Sequence, residues 1–149
     1  MDRKYVVFEV DKEFFGIPIE QVERILAEMP ITKIPRSPKI VAGIFELRGS
    51  TLPVVDLRVR FDRPATATSS NLIVIPVSGE RVALRVDRVD GIIELAEAVI
   101  DRDLAMLRQK EDDFIAGVAK DRARLVLILE PEHLIPIRDR ARTLKLAVA

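Results

Sequence analysis

Two strand patterns recur at fixed spacings along this chain, and that faint duplication constrains the fold more than any other feature. Residues 5–10 alternate into the turn Asp11-Lys12-Glu13 and a second apolar run, Phe14-Phe15-Gly16-Ile17, which reads as a β-hairpin. The same grammar returns 67 residues later. Residues 72–77 pass through Ser78-Gly79-Glu80 into 81–86, with Glu80 in the place of Glu13. A second pair of segments repeats at an offset of 74. Ala42-Gly43-Ile44 leads to Arg48, Leu52, Val54, Val55 and Asp56, and Ala116-Gly117-Val118 leads to Arg122, Val126, Ile128, Leu129 and Glu130 at the same spacings. The second half therefore carries about seven extra residues, assigned to the polar stretch 101–113. This duplication predicts equivalent strand pairs, with Gly43 matching Gly117 and Arg48 matching Arg122.

Between the repeated segments, Ile19, Val22, Ile25 and Leu26 fall at helical spacing behind Pro18, predicting a short helix over 19–27. Pro30, Pro35 and Pro38 then leave room only for a short strand at 31–34. Pro76 demotes its strand toward an edge or an end. Residues 62–70, with Pro64 and an Ala/Thr/Ser run, read as a linker between halves at 4–61 and 71–137, and exchange of strands between the halves stays open. The basic segment 138–149 reads as a peripheral helix or frayed end. Many short strands with turn signals every ten residues or so indicate a mostly β chain of small, nearly closed barrels. Halves of about 60 residues are marginal alone and need a shared apolar interface.

Chemistry is sparse. The chain has no Cys, which excludes disulfides and thiolate metal sites and fits a reducing compartment. Its N-terminus runs into a strand pattern without an apolar signal region, and no apolar stretch approaches the ~20 residues that span a bilayer. The expectation is a cytoplasmic protein without direct membrane insertion. The 24 basic and 24 acidic residues cancel, and six Phe, one Tyr and no Trp make a poor stacking platform, so nucleic acid is not an expected partner. The single histidine, His133, has no second His or Cys, and nothing in the spacing joins it to a serine and a carboxylate as a triad. Asp101, Asp103, Asp112 and Asp113 lack the pattern of a calcium loop, and no phosphate-binding glycine loop is present. No catalytic residue, cofactor or metal is expected.

The stretch Gly43-Ile44-Phe45-Glu46-Leu47-Arg48-Gly49-Ser50-Thr51-Leu52-Pro53-Val54-Val55-Asp56-Leu57-Arg58 resembles the most characteristic segment of the CheW family, G-V-x-N-L-R-G-x-x-x-P-V-V-D-L-R. Thr32-Lys33-Ile34-Pro35, Val86-Asp87-Arg88-Val89 and residues 117–129 extend the resemblance over roughly 4–137. It implies two SH3-like five-stranded β-barrels sharing a hydrophobic core, with one or two short helices and no catalytic activity. It further implies a chemotaxis scaffold that joins the cytoplasmic hairpin tip of a chemoreceptor to the regulatory domain of a CheA-type histidine kinase. In such proteins the groove between the barrels serves the receptor, and an end of the second barrel serves the kinase.

Carried over by position, the partner-binding candidates are Val22, Ile25, Gly43, Glu46, Arg48, Val86, Val89 and Ile92. The chain also departs from the family pattern. Arg24 stands where V-Q-E-I has an acid, Glu46 replaces the Asn of N-L-R-G, and Ala123 replaces a turn Gly. These exchanges suggest that Arg48 pairs with Glu46 or Glu23. They also leave room for a CheW-like module of a hybrid regulator, or of a pathway controlling surface motility or gene expression. A small-ligand-binding barrel is the alternative of another class.

Overall fold

The computed structural model describes residues 2–65, 70–103 and 114–148. Thus 66–69 of the linker, and most of the polar stretch 101–113 with Asp112 and Asp113, lie outside the described residues. Among the described residues eleven strands carry the fold: β1 (Asp2–Val10), β2 (Glu13–Pro18), β3 (Arg24–Ala27), β4 (Val41–Leu47), β5 (Ser50–Asp56), β6 (Asn71–Val77), β7 (Glu80–Val86), β8 (Arg88–Ala96), β9 (Ile100–Asp101), β10 (Ile115–Asp121) and β11 (Arg124–Leu129). Two short helices accompany them, α1 (Leu57–Arg60) and α2 (Ile137–Leu144).

The hairpins close where the turn chemistry places them. Asp11 and Lys12 adopt φ of 49° and 69°, and Ser78 and Gly79 adopt 50° and 83°, both two-residue turns whose twist suits the flanking strands. Arg48 and Gly49 repeat this at 51° and 85° between β4 and β5. In the matching turn only Arg122, at 59°, is left-handed, so Ala123 is free of the strain that the missing glycine would otherwise relieve. Pro76 lies beyond the last residue of β6 that pairs with β3.

The strands form a six-stranded sheet, β8-β1-β2-β11-β10-β9, and a five-stranded sheet, β3-β6-β7-β5-β4. This differs from barrels cut at the linker, because each sheet holds a hairpin from one half between strands of the other. Parallel pairings join the halves. In one, Val54 meets Ala83, and in the other Ile128 meets Gly16. These partners are related by the offsets of 74 and 67, and the bulges before Gly43 and Gly117 also correspond. The repeat is therefore real at the level of register, and its halves are interlocked by exchange of β1–β2 and β6–β7.

Burial explains the exchange. Side chains alternate across a strand, so each exchanged hairpin has two faces to cover. Tyr5 and Val7 fill the six-stranded barrel, and Leu72 and Val74 fill the five-stranded one. The opposite faces, including Phe8, Phe15, Ile73, Ile75, Val82 and Leu84, meet in a central core between the barrels.

Two local expectations are corrected. Residues 19–27 are not a helix, since only Ile19–Gln21 form a 3-10 turn and β3 follows. Arg24 pairs with Val74, Ala27 with Asn71, and the Glu23 amide donates to the Val74 carbonyl at 2.8 Å. The exposed edge of β6 thereby outweighs the weak helical spacing of four apolar residues. Residues 31–34 contribute one bridge, Thr32 to Ile44, rather than a strand.

The C-terminal segment is helical but not frayed. Thr143 is fully buried, Leu144 and Leu146 pack on the central core, and Val148 exchanges backbone hydrogen bonds of 2.7 and 2.8 Å with Thr51. Deleting 141–149 should therefore lower the melting temperature by at least about 5 °C, the loss of roughly 2 kcal/mol for a domain this size. An unchanged melting temperature would show that these contacts contribute nothing. The exchange itself predicts that fragments 1–65 and 66–149 give no cooperatively unfolding monomer alone and regain one transition when mixed. A cooperatively folded monomer from either fragment contradicts it.

Candidate protein-interaction surface

β3 and β8 are edge strands, each with a single neighbour in its sheet. Ile25 lies opposite Ile73 and Ile92 opposite Val6, and directly opposed residues share a sheet face. Ile73 belongs to the central core, and Val6, also buried, shares a face of β1 with Phe8 of that core. Ile25 and Ile92 therefore stand at the rim of the central core, 42% and 57% exposed. Val22 and Val89 pack against that core beside them. The offset of 67 places Val22 on Val89 and Ile25 on Ile92, so these four residues occupy two pairs of equivalent positions. Asn71 ties the two edges together, accepting from the Val89 amide at 3.0 Å and donating to the Leu26 carbonyl at 3.3 Å. Its role left no trace in the sequence beyond a polar residue at the start of a strand.

The other candidates separate by burial. Val86 is only 1% exposed inside the central core, which leaves it no surface for a partner. Gly43 is also internal. A Cβ there would lie 2.3 Å from the Thr32 carbonyl oxygen, so the residue admits the segment that covers β4. Glu46 and Arg48 are exposed at the end of the β4–β5 hairpin, and among the described residues neither side chain makes an ion pair. The pairing of Arg48 with Glu46 or Glu23 is thus corrected. Arg48 sits in a left-handed turn rather than on a regular strand, and Glu23 is held by Arg81 at 3.3 Å.

The end of the signature segment is structural. Asp56, 6% exposed, caps α1 by accepting from the Arg58 amide at 2.9 Å. Arg58 then forks onto Asp87, with Nε to Oδ1 at 2.8 Å and Nη2 to Oδ2 at 2.7 Å. Asp87 also accepts from the Asp11 amide at 2.8 Å. One carboxylate thus joins the β1–β2 turn, α1 and the β7–β8 junction, and so fixes where β8 begins. Burial raises the Asp87 carboxyl, but the Arg58 fork and the Asp11 amide outweigh it and hold the group below its ordinary range.

Charge also lines the β8 edge. Arg88 meets Glu9 and Asp90, each at 2.9 Å, and Arg124 reaches Asp90 from β11 at 2.7 Å. The Arg124 and Arg88 guanidiniums hold Asp90 below the usual carboxylate range. Ile92 borders a cleft of about 430 Å³ between this edge and the β10–β11 turn, where Arg122 projects. The described residues hold no grouping of His, Cys, Asp and Glu suited to a metal ion.

Comparison with known proteins identifies the family and the fold. The model of the CheW-like domain matches residues 4–138. The chain belongs to this family. It is 30% identical over 135 residues to a probable chemotaxis protein CheW from Rhizobium etli, covering 89% of this chain and 87% of that protein. It is 28% identical over 132 residues to chemotaxis protein CheW from Thermotoga maritima, covering 86% and 84%. The crystal structure of the scaffolding protein TtCheW from Thermoanaerobacter tengcongensis superposes with a TM-score of 0.84 at 30% identity, covering 93% of this chain and 96% of that one. The mostly β architecture with two SH3-like subdomains is that of this family.

The Asp87 staple makes a pH-dependent prediction. Because its folded-state pKa lies below the unfolded value, its contribution is complete above about pH 4 and is lost as pH falls through the lower folded value. Asp87→Asn should therefore flatten the loss of stability below about pH 4, and Arg58→Ala should cost about 2 kcal/mol at neutral pH. Denaturant unfolding from pH 2 to 7 tests both, and parallel curves for Asp87→Asn and parent would contradict the assignment.

Proposed function

We propose that this chain is a non-enzymatic, cytoplasmic adaptor that couples the hairpin tip of a chemoreceptor to the regulatory domain of a CheA-type histidine kinase. Family membership supports the class of activity. The observation that carries the site is the exposure of Ile25 and Ile92 at equivalent positions on the rim of the inter-barrel core. Apolar side chains continuous with a packed core, on a base that is already rigid, suit an amphipathic helix, which lays its own apolar face into such a groove. Val22 and Val89 support them from below, and Arg48 supplies an unpaired guanidinium on the barrel that holds β3. Arg24 and Glu46, which depart from the family pattern, lie on the same barrel and tune which receptor is accepted.

Substitution separates binding from folding. Ile25→Asp and Ile92→Asp each remove an exposed apolar contact, so each should weaken capture of a receptor cytoplasmic fragment at least about tenfold, a loss of roughly 1.4 kcal/mol. Arg48→Ala should weaken binding while leaving the denaturation curve nearly unchanged, because its guanidinium has no ion-pair partner among the described residues. Receptor capture and kinase stimulation measured beside unfolding test this. Parent-like binding by the Ile25→Asp/Ile92→Asp double variant would reject the groove.

A further inference from the structure

Several charged side chains on and beside the sheets are neutralised in place. Arg3 is held by Glu20, Arg63 by Glu13, Arg81 by Glu23 and Arg102 by Glu97. At one end of the five-stranded barrel four cations lie together without such a partner. Lys33, Arg36, Lys39 and Arg142 are all exposed there, and none of them has an acidic partner among the described residues. They are also held in place. Arg142, on α2, donates to the Arg36 carbonyl and so pins the loop that carries Arg36 and its neighbouring lysines.

Beside this cluster lies a cavity of about 510 Å³ whose apolar wall includes Met29, Ile31, Ile34 and Val41. Lys33 and Lys39 line it as well. The acids in the lining are already engaged, since Glu28 receives Arg85 at 3.2 Å and Asp56 caps α1. Arg85 also faces Asp56 at 3.8 Å, so an anion entering from solvent meets Lys33 and Lys39 beyond the one cation that these two acids share. None of Val22, Ile25, Val89 and Ile92 contributes to it.

We propose that this end of the barrel docks an acidic polypeptide segment, with an apolar side chain in the cavity and flanking carboxylates on Lys33, Lys39, Arg36 and Arg142. Charge complementarity selects the acids, and the apolar wall selects a residue such as leucine between them. A net charge of zero gives no long-range pull toward a polyanion, so recognition acts within about one Debye length, ~8 Å at physiological salt. That favours a short acidic segment of a protein over a nucleic acid or a membrane. Arg142 lies past residue 138, where the match to the family ends, whereas Lys33, Arg36 and Lys39 lie within it.

The test is fluorescence anisotropy of a labelled Glu-Glu-Leu-Glu-Glu peptide titrated with the full chain. Binding should be saturable and should weaken at least tenfold in Lys33→Glu/Lys39→Glu, and in the parent when every Glu of the peptide is replaced by Gln. Ile25→Asp/Ile92→Asp should bind this peptide like the parent, which separates this site from the receptor groove. Lys33→Gln/Lys39→Gln serves as a second variant of near-native size and should weaken binding severalfold. The proposal is overturned if the acidic peptide does not bind, or if both lysine variants bind it like the parent. It is equally overturned if the same lysines instead govern binding to single-stranded DNA or to anionic phospholipid vesicles while the peptide is ignored.

Discussion

Everything in this molecule depends on the apolar contact between the outer faces of two exchanged hairpins. A barrel of about 60 residues buries too little surface to stand securely alone. Exchange solves this by giving β1–β2 and β6–β7 two apolar faces each, one inside a barrel and one in the central core. Phe8, Phe15, Ile75 and Leu84 are therefore neither surface nor barrel interior, and removing any of them would leave a cavity felt by both barrels. The orientation of one barrel on the other follows from this packing rather than from the linker.

That rigidity is what makes a functional surface available. A core between two lobes must end somewhere, and here it ends on the edge strands β3 and β8, whose isoleucines remain exposed. Polar groups secure the edges without covering them. Asn71 links one edge to the other, and the Arg58–Asp87 fork fixes the entry into β8. Much of the signature segment is thus scaffolding: Asp56 caps, Arg58 staples and Gly43 admits a covering segment, while Glu46 and Arg48 extend to solvent without an ion pair among the described residues.

How much of this was legible in the sequence varies with the range of the interaction. Hairpins were legible because turn residues and alternation are local, and the paired offsets correctly aligned Gly43 with Gly117. Which hairpin enters which barrel was not, since exchange and its absence place the same residues in the same kinds of strand. The segment 19–27 was misread because Ile19, Val22, Ile25 and Leu26 fit a helical period by chance, while its strand pairing depends on β6, some fifty residues away. Its echo was present: Val22-Glu23-Arg24-Ile25 recurs as Val89-Asp90-Gly91-Ile92 at the hairpin offset, and the second copy is a strand. Arg48 escaped because a left-handed turn breaks the facing rule that would have brought it to Glu46.

The central claim is that the rim of the shared core is the surface that meets the receptor. Isoleucine-methyl NMR tests it most directly, by titrating the labelled chain with a receptor cytoplasmic fragment. Ile25 and Ile92 should both shift or broaden on binding, while Ile73 and Ile75, buried in the core beneath, should stay nearly in place. Binding that leaves both rim methyls unperturbed would contradict the account.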